Sequence, residues 1–111
     1  LMLPALTLGA SGCIDGPLNA APELWVKIWD LFNNKDFDQS IKAQEEATRF
    51  SNVIRDFGMH ATIKEIISYR LDIDCGSPIP PLPNLSKNEK TKLITDIKKL
   101  NSLFKKPVHL N

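Results

Sequence analysis

The stretch from Gly9 to Phe32 constrains the fold of this chain more than any other feature. Small and apolar residues at 10–14 are typical of a short, wholly buried parallel strand. The turn-forming residues that follow, Asp15-Gly-Pro, lead into an apolar helix. A single βα unit cannot form a parallel sheet by itself. The stretch therefore predicts one βα unit of a larger α/β structure.

The helix after the turn has only three polar positions before Asn33, namely Glu23, Lys27 and Asp30. Asn19 is the predicted N-cap, and Pro22 suits a first helical turn. A helix that is apolar on nearly all sides is expected to be buried on nearly all sides. We therefore expect this helix to lie between two layers, with a sheet on one face and further helices on the other.

The rest of the chain is predicted to be helical. Asp36 and Gln39 have the spacing of a capping box at the start of an amphipathic helix, which Gly58 ends. A third helix is predicted over Met59 to Leu71. Its predicted buried side consists of Met59, Ile63, Ile66, Ile67 and Leu71.

A last helix is predicted to begin at the capping box formed by Ser86 and Glu89. Before it, residues 77–83 contain four prolines, so this segment cannot be helical and is expected to extend in polyproline II form. The simpler interpretation is a rigid surface strap between two helices. The alternative is a ligand for an SH3-type domain.

The chain begins with Leu1, and the apolar residues up to Leu8 are typical of the tail of a helix without an N-cap, which Gly9 is predicted to end. This pattern predicts that the chain has lost its beginning. The start lacks the basic region of a signal peptide, and Pro4 interrupts it. No apolar run reaches the ~20 residues that span a bilayer. We therefore expect a soluble, cytoplasmic protein without a membrane partner.

Length and charge exclude several classes of function. With 111 residues the chain is one domain at most. Its formal net charge of +1 offers no positive field for nucleic acid. Cys13 and Cys75 form no C-x-x-C motif, and neither His60 nor His109 has metal-ligand spacing, so no metal site is expected. Two buried free thiols in a reducing compartment are expected, with a disulfide between them as the alternative.

Four short motifs, in this order and spacing, resemble the carboxy-terminal third of the dihydrodipicolinate synthase/N-acetylneuraminate lyase family. The resemblance covers Leu1 to about Leu103. The motifs are Gly9-Ala-Ser-Gly-Cys-Ile14, Asn19-Ala-Ala-Pro-Glu23, Phe57-Gly58 followed by Ala61-Thr-Ile-Lys64, and Pro80-Pro-Leu-Pro83 before Leu85-Ser86.

The resemblance implies an α/β fold in which this chain is the last βα unit of a TIM (β/α)8 barrel followed by a C-terminal helical domain. The chain itself would then be mostly α-helical. Residues 1–34 would be the end of the barrel, and residues 35–104 the helical domain with its proline-rich strap at 77–83. Residues 105–111 would be a tail. A complete barrel needs at least ~200 residues, so this chain would hold only part of one.

The resemblance also implies a class I aldolase-type lyase that joins or splits pyruvate or a related 2-keto acid. In that family a lysine Schiff base acts as the electron sink, without a separate cofactor. The nucleophilic lysine and the proton-relaying tyrosine lie on earlier strands of the family. Lys64 matches a helix lysine, and Tyr69 is on a predicted helix. We expect no catalytic residue in this chain and no activity from it alone. The complete protein is expected to be a homo-oligomer, either a tetramer or a dimer.

Barrels place their substrates at the carboxyl ends of the strands. The resemblance therefore makes Ile14 the first candidate for substrate binding, through its main-chain carbonyl. Gly12 would let the barrel wall approach the ligand. Asp15 stands where the family commonly has serine, which leaves the substrate class open. The alternatives are core packing for Ile14 and a simple turn role for Asp15. His60 is expected to be a helix-start residue, with a role as an acid or base as the alternative.

A second hypothesis for the whole chain is a non-catalytic helical module for assembly. In that case the apolar helix from Leu24 to Phe32 would be buried against a partner chain. The sequence does not distinguish which keto acid or aldehyde a complete lyase would use.

Overall fold

The computed structural model describes residues 1–100 as a set of helices joined by short connections. The chain divides into two compact units, the first comprising Leu1–Ser51 and the second beginning at Asn52. The predicted tail, residues 105–111, and the end of the predicted helical domain lie outside the described residues. The helices are α1 (Met2–Thr7), a 3-10 turn (Pro17–Asn19), α2 (Pro22–Asn33), α3 (Phe37–Phe57), α4 (Met59–Leu71) and α5 (Lys87–Lys99).

The first helix ends as its sequence predicts. Gly9 follows α1 with a φ of +93°, a backbone conformation that a glycine adopts without steric cost. The Gly9 N–H donates to the carbonyl of Leu6, and the Ala10 N–H donates to that of Ala5, both at 3.0 Å. These two bonds form a Schellman motif, which satisfies the last carbonyls of the helix.

Residues 10–14 differ from the prediction, because the structure assigns no strand to them or to any other part of residues 1–100. A parallel strand exists only by pairing with neighbouring strands. The described chain offers no such neighbour. The segment therefore connects α1 to the 3-10 turn without regular structure, and the barrel strand is not seen directly.

The core of the first unit lies among α1, α2 and α3. Trp25 of α2 packs edge-to-face against Phe50 of α3, with ring centroids 6.4 Å apart. The Leu3 N–H at the start of α1 donates to the Gln44 side chain of α3 at 2.8 Å. This bond satisfies one of the four N–H groups that a helix start leaves without an intrahelical partner. The buried apolar side chains of this unit are Met2, Leu6, Ala20, Ala21, Leu24, Trp25, Ile28, Ala43, Ala47 and Phe50.

The prediction that α2 is buried on nearly all sides is wrong. Leu24, Trp25 and Ile28 are buried, but Val26 is 55% exposed and Trp29 is also exposed. Val26 and Trp29 are three residues apart and so share one face of the helix. That face is open because the described residues contain no sheet to cover it.

The start of α2 also differs from the prediction. Asn19 lies in the 3-10 turn, where its side-chain amide donates to the carbonyl of Gly16 at 3.1 Å. Ala21 occupies the N-cap position instead, and Pro22 is the first helical residue. Proline suits this position because the N–H that it lacks has no intrahelical partner there.

In the second unit α4 packs on α5. Leu93 and Ile97 of α5 are fully buried, and Lys90 forms an ion pair with Glu65 of α4 at 2.7 Å. The buried face of α4 consists of Ala61, Thr62, Ile66 and Arg70.

Only Ile66 of the predicted buried side of α4 is therefore fully buried, and Met59 is exposed. The apolar residues of α4 are spread so widely around the helix that several faces could turn inward. The packing of the second unit buries a face that includes one threonine and one arginine.

The proline-rich segment is not helical, as predicted, but it is not fully extended either. The Leu82 N–H donates to the Ile79 carbonyl at 3.2 Å, which closes a turn. The side-chain amide of Asn84 donates a hydrogen bond to the Ser77 hydroxyl at 2.7 Å. Seven residues of polyproline II would advance by about 3.1 Å each, or about 22 Å. The segment therefore doubles back, so it lacks the continuous polyproline II form that an SH3-type ligand presents.

Candidate functional site

The predicted substrate-binding residues all lie in the connection between α1 and the 3-10 turn. Ile14 is fully exposed, so its side chain does not pack into the core of the described residues. Gly12 is exposed, and a Cβ added there would meet no atom within 4 Å. Asp15 is half-buried. The three residues thus lie close together along one surface segment, with Cys13 between Gly12 and Ile14.

The side chain of Asn19 fixes the downstream end of this segment. Its amide donates to the carbonyls of Asp15 at 3.5 Å and Gly16 at 3.1 Å. Within residues 1–100, no hydrogen bond engages the main chain of residues 11–14. The Ile14 carbonyl is consequently available to accept a hydrogen bond. A polar ligand or a neighbouring strand could equally use the exposed main chain here.

The residues that could suggest lysine or tyrosine chemistry serve other roles in the second unit. Lys64 lies on α4, and its ammonium group donates to the Cys75 carbonyl at 2.7 Å. The ring of Tyr69, also on α4, lies 5.5 Å from the ammonium group of Lys98. Both contacts hold one element of the unit against another. Among residues 1–100, neither residue is paired with a group that could activate it as a nucleophile or a proton relay.

A cleft of about 230 Å³ lies where α3 ends and α4 begins. Its walls are mostly apolar, and His60 and Glu89 are its ionisable side chains. The sequence predicts a helix-start position for each residue but does not indicate that the two lie in one cleft. The break at Gly58 and the capping box at Ser86 were each visible in the sequence, whereas their convergence depends on how α4 packs on α5.

Glu89 is already engaged in that cleft. Its carboxylate accepts hydrogen bonds from the Ser86 hydroxyl at 2.6 Å and the Ser86 N–H at 2.8 Å. These bonds lower the pKa of Glu89 from its ordinary value, because they favour the charged form. The bond from the hydroxyl has the larger effect. The Glu89 N–H donates in return to the Ser86 hydroxyl. Glu89 thus closes the predicted capping box and stabilises the start of α5.

Groups of three or more histidine, cysteine, aspartate or glutamate residues with metal-binding geometry are absent from residues 1–100. Over the same residues, no helix is both long and apolar enough to cross a membrane. Cys13 and Cys75 are free thiols, but each is only partly buried, which differs from the predicted burial.

Comparison with known proteins decides what these elements belong to. The model of the dihydrodipicolinate synthetase family matches residues 1–100. The chain belongs to that family. The match covers the segment with Gly12, Ile14 and Asp15 as well as all five α-helices, so the resemblance inferred from the four short motifs is confirmed.

Two curated proteins show how the family match extends to individual members. An N-acetylneuraminate lyase of Fusobacterium nucleatum is 29% identical over 89 residues, which is 80% of this chain but 30% of that protein. An uncharacterised DapA-like lyase of Pyrococcus furiosus is 36% identical over 50 residues, which is 45% of this chain and 17% of that protein. The matched segments thus span less than a third of the length of these relatives. No solved structure matches the chain.

Proposed function

We propose that this chain is the C-terminal part of a Schiff-base-forming lyase that acts on pyruvate or a related 2-keto acid. The main support is the family match over residues 1–100, together with the fraction of the N-acetylneuraminate lyase, 30%, that the matched segment covers. In this proposal the chain contributes one wall of the keto-acid pocket. The Ile14 carbonyl contacts the substrate, Gly12 allows close approach, and Asp15 lies at the rim.

The exposed apolar surface of the first unit also supports this proposal. Ile14, Val26 and Trp29 are exposed, although large apolar side chains gain free energy when they leave water. A barrel assembled from the further strands of a family member would cover such a face. In this proposal the chain alone is inactive, because the nucleophilic lysine and the proton-relaying tyrosine of the family lie on earlier strands. The complete protein is proposed to be a cytoplasmic homo-oligomer.

The first test is the coding DNA upstream of the codon for Leu1. If the frame continues through several βα units with a lysine and a tyrosine on strands, the chain is part of a Schiff-base lyase. A start codon directly before Leu1 would overturn that assignment.

A second test uses the chain itself, which is incubated with pyruvate and borohydride. Its molecular mass is then measured by mass spectrometry. Reduction would trap any Schiff base as a stable amine. The expected result is an unchanged mass. An adduct on Lys64 would contradict the inactivity of the isolated chain, and peptide mapping would locate it.

The exposed face of α2 also keeps open the second hypothesis, a non-catalytic helical module for assembly. The two hypotheses differ in how the isolated chain should unfold. A self-sufficient module should melt cooperatively and bind little hydrophobic dye. A piece of a barrel should melt broadly and bind the dye at its uncovered apolar face. If the chain is a piece of a barrel, the variant Val26→Lys should reduce dye binding. Lys27→Arg on the same helix is the matched control.

A further inference from the structure

We draw no further inference here: the strongest candidate, the apolar groove of about 360 Å³ between α1 and the first half of α3, with the exposed Ile41 at its edge, carries nothing because nothing in the structure shows what covers it.

Discussion

The ammonium group of Lys64 donates a 2.7 Å hydrogen bond to the main-chain carbonyl of Cys75, eleven residues further along the chain. One helical turn beyond Lys64, the Ser68 hydroxyl accepts a hydrogen bond from the Cys75 N–H at 3.1 Å. Two side chains on one face of α4 thus bind both the main-chain N–H and the main-chain carbonyl of Cys75. They fix the path of the chain as it leaves the helix.

Removal of the ammonium group in Lys64→Met should release this segment. A hydrogen bond with a charged partner contributes about 1.5–3 kcal/mol, and partial exposure places this one at the lower end. We expect the Cys75 thiol to react faster with a thiol reagent, while Cys13 serves as the internal control. Lys42→Met, on the exposed face of α3, should change neither rate. Equal rates for Cys75 in the wild type and Lys64→Met would show that the bond does not restrain the segment.

The capping box at the start of α5 should be measurable through Ser86→Ala. Loss of an N-cap hydroxyl costs about 1 kcal/mol of helix stability. The free energy of unfolding, measured by urea denaturation, should fall by that amount. Thr91→Ala provides the control, because Thr91 is exposed within the same helix and alanine has the higher helix propensity. A loss in Thr91→Ala as large as in Ser86→Ala would contradict the capping role.

Glu89 should make the stability of the second unit depend on pH. Its pKa is lowered in the folded state, first by the Ser86 hydroxyl and then by the Ser86 N–H. The carboxylate therefore adds stability that is fully present above its unfolded pKa and is lost as pH falls through the folded pKa. Glu89→Gln should be less stable than the wild type at about pH 7, and the difference should shrink as the pH falls from there through the folded-state pKa of Glu89. A difference that stays constant over this range would mean that the charge of Glu89 contributes nothing.

Two neighbouring positions on α2 should respond very differently to truncation. Ile28 has no exposed surface, so Ile28→Ala should cost about 2–5 kcal/mol of folding free energy. Val26, two residues away, is 55% exposed, and Val26→Ala should change the free energy by less than about 0.5 kcal/mol. Urea denaturation followed by circular dichroism would measure both. A large loss in Val26→Ala would show that the open face of α2 is covered after all.

Gly9 and Gly12 form a matched pair for backbone conformation. Gly9 has a φ of +93°, so Gly9→Ala should destabilise the chain by about 1 kcal/mol. Gly12 has no positive φ, and an added Cβ would meet nothing within 4 Å. Gly12→Ala should be neutral or stabilising by up to about 1 kcal/mol, because alanine restricts the unfolded chain. Thermal melting of both variants would compare them, and equal losses would contradict the Schellman geometry.

Much of the helical framework could be predicted from the sequence. The bounds of the third helix agree with α4, and the glycine stops at Gly9 and Gly58 and the capping box at Ser86 are all present. These features depend on contacts within a few residues along the chain, and local sequence contains the information for them.

The candidate site was less predictable. The family match covers the motif around Ile14, but the barrel strand and the roles of Gly12, Ile14 and Asp15 in binding a substrate stay predictions. A strand is defined by the strands beside it, and residues 1–100 contain none that could pair with residues 10–14. The sequence of the segment therefore could not by itself produce the predicted strand.

The sequence by itself determined most helix starts and ends, the start of α2 excepted, and the family to which the chain belongs, because caps, glycine stops and motif spacing are local properties. The tertiary structure decided which faces are buried. It turned Thr62 and Arg70 of α4 inward, left Val26 and Trp29 of α2 exposed, and folded the proline-rich segment back on itself. Burial depends on which elements are present to pack against a face, and that information lies far away along the chain.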